Sequence, residues 1–202
     1  MTARAAEFEQ GVARVRAALA ESAEIQRETA ETCGLAIARA GALLATTFRR
    51  GGRALCFGNG GSAADAQHLA AELGGRFERE RPGLPALALT SNSSDLTAIG
   101  NDYGFEQVFA RLVRAHGRPG DVAVAISTSG NSPNVLAGVA EARAAGLSSV
   151  GLTGKGGGQL AAAVDVAVVV PSHVTARVQE CHIAVIHALC ELVDEQLFPG
   201  AL

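Results

Sequence analysis

The sequence has no tryptophan, one tyrosine and one methionine, and only 4% of its 202 residues are aromatic, whereas 24 are glycine. This balance is typical of an α/β protein with many close turns and argues against an aromatic-rich binding surface. We find no apolar run long enough to cross a bilayer, and the first residues lack the apolar stretch of a signal peptide. The net charge of −3 predicts no nucleic-acid or membrane partner.

Closely spaced cysteine pairs are also missing. The four cysteines include no C-x-x-C spacing, and the nine-residue separation of Cys181 and Cys190 places them on opposite faces of a helix. Four reduced thiols are typical of a cytoplasmic protein, which is the location that we expect.

Hydrophobic residues make up 48% of the chain and charged residues 18%. This composition supplies enough apolar side chains for one well-packed domain.

Short apolar runs alternate with helix-like segments after residue 50, which predicts an α/β fold with a five-stranded, mostly parallel sheet and right-handed crossovers. We expect strands at 54–57, 85–90, 122–126, 149–152 and 166–170. Residues 174–197 predict a long C-terminal helix. Residues 1–50 predict an arm of two helices, broken near 28–32, that packs on the sheet or on another subunit. The expected division is therefore 1–50 for the N-terminal helices and 51–202 for the α/β domain.

The first candidate site is the turn Gly58-Asn59-Gly60-Gly61-Ser62, which follows a short apolar strand and precedes an alanine-rich helix. The first N–H groups of a helix lack intrahelical partners and carry partial positive charge, so such a turn favours an anion. Ser62 is expected to cap the helix or to bind the same anion.

Three polar side chains follow on this helix. Asp65, His68 and Glu72 are spaced three and four residues apart and therefore share one face. A histidine and a glutamate at this spacing can bind one metal ion or serve as a base and a proton donor. A solvent-exposed pair on a surface helix has the same pattern, and this segment alone does not distinguish the two.

The third apolar strand leads into Ser127-Thr128-Ser129-Gly130-Asn131-Ser132-Pro133. Pro133 suits the first position of a helix, with Ser132 as its cap. Four hydroxyl groups around a glycine are more than a cap needs, and together with backbone N–H groups they can surround a phosphate without a lysine.

Further polar candidates lie in a loop and on the last helix. Asn101 and Asp102 are expected in a loop at 100–102, where they can bind a polyol or simply form a turn. Gln179 and His187 are about 80° apart around the last helix and can border one site, whereas His182 lies elsewhere and is expected to be structural or exposed.

Taken in order, these motifs and the segment Arg177-Val178-Gln179-Glu180 resemble the phosphoheptose isomerases, a family of enzymes built on the sugar isomerase (SIS) domain. The resemblance runs from about residue 53 to residue 198 and implies a flavodoxin-like SIS domain. It implies conversion of sedoheptulose 7-phosphate to D-glycero-D-manno-heptose 7-phosphate. It also implies a homotetramer whose sites are shared between subunits.

The resemblance also implies roles for individual residues. Glu72 matches the proposed base and His187 the proposed acid of an enediol mechanism. Zinc, one ion per subunit, would be held by His68, Glu72, Gln179 and His187. The phosphate would be held by Ser127, Thr128, Ser129 and Ser132. The sugar would be lined by Asn59, Gly60, Gly61, Ser62, Glu72, Asn101, Asp102 and Gln179.

Two other functions fit parts of the sequence. Residues 171–177 and 197–199 also resemble a tetrameric, non-catalytic relative, an adaptor that binds the bacterial replication initiator but lacks the glutamate and histidine found here at 72 and 187. Gly58, Gly60 and Ala63 fit a dinucleotide fingerprint, but no acidic residue follows the second strand to bind a ribose.

The sequence departs from the isomerase pattern at one position. Ala176 stands where the isomerases often have an acidic residue.

Overall fold

The computed structural model describes residues 3–200, with side chains from residue 7 onward. These residues form seven α-helices and five strands. In chain order they are α1 Ala3–Arg49, β1 Ala54–Gly58, α2 Gly61–Gly74, β2 Ala86–Ala88, α3 Ser93–Tyr103, α4 Val108–His116, β3 Val122–Ser127, α5 Pro133–Ala144, β4 Ser148–Thr153, α6 Gly158–Ala163, β5 Val166–Val169 and α7 Thr175–Leu197.

The five strands form one parallel sheet in the order β2-β1-β3-β4-β5. The predicted parallel sheet is therefore confirmed, and its order is that of flavodoxin-like folds. The strand order reverses between β1 and β3, which pair so that Gly58 lies opposite Ile126. In open α/β sheets, the crevice beyond the carboxyl ends of two such strands is where ligands bind.

Each face of the sheet carries its own hydrophobic core. One core joins the sheet to α1, α2 and α7 through side chains such as Leu44, Leu69 and Ile186. The other joins it to α4, α5 and α6 through Phe109, Val139 and others. All four cysteines are buried and free. Among residues 3–200, no helix combines the length and the apolar character that crossing a membrane requires.

The first 49 residues do not contain the predicted break. One helix, α1, runs from Ala3 to Arg49 and replaces the two expected N-terminal helices. Thr29 and Thr32 donate their hydroxyls to the carbonyls of Ile25 and Glu28, each at 2.7 Å, so these polar residues bond within the helix instead of ending it. Further along α1, the Cys33 thiol donates to the carbonyl of Val169 on the edge strand β5, at 3.1 Å.

The predicted loop at 100–102 is also wrong, because Asn101 and Asp102 lie in α3. Asn92 caps α3 by accepting hydrogen bonds from the N–H groups of Ser94 and Asp95. The last helical residue is Tyr103, and the helix is capped by Gly104, whose positive φ of 87° is a backbone conformation that glycine adopts readily. The predicted helix at 105–116 is in fact a 3-10 turn over Phe105–Gln107 followed by α4.

Candidate active site

The two turns predicted to bind anions lie side by side, because they follow the neighbouring strands β1 and β3. A reciprocal amide pair joins them: Asn59 and Asn134 each donate from Nδ2 to the other's Oδ1 at 2.8 Å. Asn134 is buried, and Asn59 is half-buried. Asn134 was not among the predicted site residues, although an amide directly after Pro133 in an apolar helix is a signal that could have indicated it.

The first turn depends on two glycines. Gly60, with φ of 55°, occupies the N-cap position of α2, so the expected cap by Ser62 is wrong and Ser62 is instead buried in the first turn. A Cβ atom on Gly61 would collide with the side-chain amide of Gln179 on α7. The absence of that atom lets α7 approach the start of α2, which brings Gln179 to the predicted sugar-binding turn.

The hydroxyls of the second turn converge. Ser127 Oγ lies 2.9 Å from Ser132 Oγ and 3.5 Å from Ser129 Oγ, and the N–H of Asn131 donates to Ser129 Oγ at 3.2 Å. Ser132 is the N-cap residue of α5 by position, but its side chain makes no capping bond and instead contacts Ser127. These hydroxyls at a helix start, with Thr128 half-exposed among them, form a cradle suited to a phosphate.

Two histidines and a glutamate meet between α2 and α7. His68 Nε2 shares a hydrogen bond with His187 Nε2 at 3.0 Å and lies 3.3 Å from Glu72 Oε1. The His187 ring stacks on Phe77, with ring centroids 5.5 Å apart. The Glu72 and His68 side chains are 25% and 41% exposed, so a substrate can reach them. The structure thus joins residues that are 119 positions apart.

Asp65 lies one turn before His68 on α2. Burial raises the pKa of its carboxyl to about 6 from 3.8, although the neighbouring His68 lowers it. Its Oδ2 is buried without a hydrogen-bond partner. Perturbed carboxyl groups of this kind are concentrated at functional sites, and Asp65 extends the polar face of α2 that His68 and Glu72 share.

The donor atoms fit zinc by type, since zinc takes imidazole nitrogen and carboxylate oxygen. The 3.0 Å between the two Nε2 atoms is somewhat shorter than the ~3.3 Å expected for two nitrogens on one tetrahedral zinc. Across the described residues, no three His, Cys, Asp or Glu side chains are already arranged to hold a metal ion. Binding would therefore require a small separation of His68 and His187.

Below this cluster, a buried ion pair that was not predicted joins the connection after α2 to α7. Arg81 Nε donates to Asp194 Oδ1 at 2.6 Å, and the two side chains are 0% and 2% exposed. Arg81 also donates to carbonyls at the end of α2, including those of Glu72 at 2.9 Å and Leu73 at 2.8 Å. Arg81 could not be recognised from the sequence, because the alternating positive and negative residues at 76–81 are typical of a solvent-exposed loop.

Two other predicted residues do not join the site. Asn101 and Asp102 are exposed on α3, where Asn101 Nδ2 donates to Asp102 Oδ1 at 2.8 Å.

His182 lies apart from the cluster. It is buried, its Nε2 lies 3.2 Å from the carbonyl of Thr153, and burial lowers its pKa to about 4 from 6.5. His182 therefore has the structural role that was one of its two expected roles.

Comparison with known proteins identifies the family. The SIS domain family matches residues 19–154. The chain is 55% identical to a phosphoheptose isomerase of Roseiflexus sp. (strain RS-1). The match extends over 177 residues, which are 88% of this chain and 90% of that protein. A phosphoheptose isomerase of Rhodospirillum rubrum is 57% identical over 165 residues, covering 82% of this chain and 88% of the relative.

Solved structures agree. The phosphoheptose isomerase of Neisseria gonorrhoeae has a TM-score of 0.86 at 47% identity, covering 90% of this chain and 97% of that one. The enzyme of Francisella tularensis has a TM-score of 0.88 at 38% identity, covering 92% and 98%. The predicted relationship is thus confirmed. The chain belongs to the phosphoheptose isomerases of the SIS domain family and is an isomerase of phosphosugar metabolism.

Proposed function

We propose that the enzyme converts sedoheptulose 7-phosphate to D-glycero-D-manno-heptose 7-phosphate. The arrangement that carries this proposal is the pairing of two sites: a hydroxyl cradle after β3 and the Glu72–His68–His187 cluster between α2 and α7. A phosphosugar needs one subsite for its phosphate and another at its carbonyl end. The names of the relatives support a phosphorylated heptose as the substrate.

In this proposal, the turns after β1 and β3 hold the substrate. Ser127, Thr128, Ser129 and Ser132 bind the phosphate through hydroxyls and the start of α5. Asn59 and the backbone N–H groups of Gly60 and Gly61 bind sugar hydroxyls. Ser62, whose own N–H donates to the carbonyl of Asn59 at 3.0 Å, lines the sugar beside them with the Gln179 amide. A bound phosphate then fixes the distance from the sugar carbonyl to the reacting side chains.

Moving a carbonyl between C1 and C2 requires removal of a carbon-bound proton and its return to the neighbouring carbon through an enediol. We assign the removal to the Glu72 carboxylate, which is accessible and beside His68. We assign the proton donor to His187, whose ring is held between His68 and Phe77. A carboxylate and an imidazole can both perform proton transfer near neutral pH.

We further propose that the enzyme binds one zinc ion per subunit. His68, Glu72, Gln179 and His187 would hold it, which is supported by the convergence of two ring nitrogens and a carboxylate. Bound zinc polarises a carbonyl and stabilises developing negative charge on its oxygen. A carboxylate bound tightly to zinc is a weak base, and a ring nitrogen bound to zinc carries no proton. Glu72 and the donating nitrogen of His187 must therefore be free of the metal, or only loosely bound, when they transfer a proton.

The enzyme is also proposed to be a cytoplasmic homotetramer with sites at subunit interfaces. The first half of α1 exposes large apolar side chains at helical spacing, namely Phe8, Val12, Val15 and Leu19, each at least 50% exposed. A stripe of this kind favours packing against another helix. Asn101 and Asp102, exposed on α3, would line the sugar of a neighbouring subunit, and four free cysteines suit a reducing compartment.

The test is an NMR time course of sedoheptulose 7-phosphate with the purified enzyme, run as isolated, with a chelator, and with zinc restored. We expect signals of an aldoheptose 7-phosphate, loss of turnover with the chelator, and recovery with zinc. Absence of conversion by folded protein with zinc present would overturn the proposed substrate. Full turnover after verified removal of metal would overturn the zinc assignment while leaving the substrate intact.

A further inference from the structure

The buried guanidinium of Arg81 lies between the two helices that carry the reacting groups. Arg81 Nη2 donates to the carbonyl of Glu72 itself, at 2.9 Å, and Nη1 donates to the carbonyl of Leu73 at 2.8 Å. These carbonyls belong to the last turn of α2 and have no partners within the helix. The Nε group donates to Asp194 Oδ1 at 2.6 Å, which ties the same turn to α7.

The register of the two helices makes this contact relevant to the site. Asp194 follows His187 by seven residues, which is about two turns of α7, so both lie on the same face of that helix. Glu72 and Leu73, whose carbonyls bind Arg81, are adjacent residues in the last turn of α2. One guanidinium therefore fixes the backbone of the proposed base relative to the helix that carries the proposed acid.

The segment that carries Arg81 supports the same conclusion. Residues 75–85 connect α2 to β2, and within them Phe77 stacks on the His187 ring. Arg81 also bonds the carbonyls of Gly75 and Pro82 in its own connection, at 3.3 Å and 3.2 Å. The guanidinium thus holds the connection, the end of α2 and α7 together in one network.

We infer that Arg81 and Asp194 are positioning residues, which set the separation of Glu72 and His187 without touching the substrate. An alternative role, general stabilisation of the fold, would lower the folded fraction without changing the turnover of folded molecules. The inference relies on the proposed function for its kinetic readout. The experiment therefore includes a second readout that needs no turnover.

The main variant is the double substitution Arg81→Met with Asp194→Leu. Removing both charges leaves no unpaired buried charge, and such replacements by apolar residues of similar volume are often tolerated. We expect kcat to fall by about tenfold or more with KM nearly unchanged, because a displacement of ~1 Å can cost up to about 100-fold. Arg81→Lys, which keeps the charge but loses the fork, is the second variant should the first not fold.

The control for loss of an ion pair between two elements is Arg114→Met with Glu141→Leu. This pair joins α4 and α5 at 2.6 Å on the opposite face of the sheet, and its arginine is 66% exposed, so it controls for the loss of charge and not for burial. We expect its kcat to stay at the wild-type value. Folded fractions are compared by circular dichroism and thermal unfolding, so that kcat refers to folded enzyme in every case.

Hydrogen exchange followed by mass spectrometry supplies the second readout. The amides of residues 71–75 should exchange faster in the Arg81 variant than in the wild type, and should be unchanged in the control. If wild-type enzyme fails to convert the sugar, the proposed function falls while this exchange result still tests the positioning contact. Unchanged exchange, or a folded variant whose kcat is unchanged, would overturn the inference.

Discussion

Substitution of Asn134 by alanine tests whether the two ligand-binding turns are held together by the amide pair. The substitution removes two N–H···O bonds of 2.8 Å between Asn59 and Asn134. At about 1 kcal/mol for each bond, the free energy of unfolding should fall by about 2 kcal/mol. For a chain of about 200 residues, this lowers Tm by about 4–8 °C. Because Asn59 is half-buried, water can replace its lost partner, and the cost should not be larger.

The same substitution should weaken substrate binding, since the turn before α2 and the turn before α5 then move independently. A loss of about 1 kcal/mol in binding corresponds to about a fivefold rise in KM. The assays are thermal unfolding and initial rates on the phosphosugar. An unchanged Tm would refute the estimate for the amide pair, and a lowered Tm with an unchanged KM would refute the link between the pair and the site.

Asp165→Ala is the matched control. Asp165 Oδ2 accepts two hydrogen bonds from Ser149, one from its N–H at 2.7 Å and one from its hydroxyl at 2.9 Å. These bonds lie at the starts of β4 and β5, the end of the sheet opposite the two turns. This substitution should lower Tm by at least as much, because hydrogen bonds to a carboxylate contribute more than those between neutral amides, and it should leave KM unchanged.

Three further predictions concern single residues. Glu72→Gln should reduce kcat by about 10²- to 10⁴-fold with an unchanged Tm, because the amide cannot take a proton; a wild-type kcat would contradict the base assignment. Ser129→Ala should raise KM more than it lowers kcat, and the reverse ranking in initial rates would contradict its role in phosphate binding. His182 has a pKa near 4 in the folded protein and 6.5 as its ordinary value, so the unfolded chain binds its proton first as the pH falls. The free energy of unfolding from denaturant titrations should therefore drop by about 3 kcal/mol between about pH 6.5 and pH 4, and an equally steep drop in His182→Gln would contradict this cause.

The sheet and its two turns could be predicted from the sequence because their signals are local. Continuous apolar runs such as 122–126 indicate buried parallel strands, and a glycine-rich or serine-rich segment directly after a strand indicates a ligand-binding turn. The stripe of His68 and Glu72 follows from helical spacing alone. That His187 completes this cluster was available only through resemblance to a family, since spacing within α7 does not indicate which helix it meets.

The errors and omissions arise where tertiary contacts override local preference. Thr29 and Thr32 weaken a helix by propensity, yet the packing of α1 against α7 and β5 keeps it continuous. The motif at 100–102 contains turn-forming residues, but Asn92 begins a helix that includes them. Arg81 gave no local signal, because a buried arginine is recognised only by its distant partner.

The contact between α1 and β5 bears on how the sheet avoids self-association. Strand β5 is one of the two outer strands, and exposed backbone groups on an outer strand can recruit strands from other molecules. Here the Cys33 thiol donates to the carbonyl of Val169, and α1 packs against this strand. Cys33 is only 5% exposed, so an alkylating reagent should react with it mainly after α1 has separated from the sheet. The rate of Cys33 labelling would then measure how often the enzyme exposes the edge from which aggregation can begin.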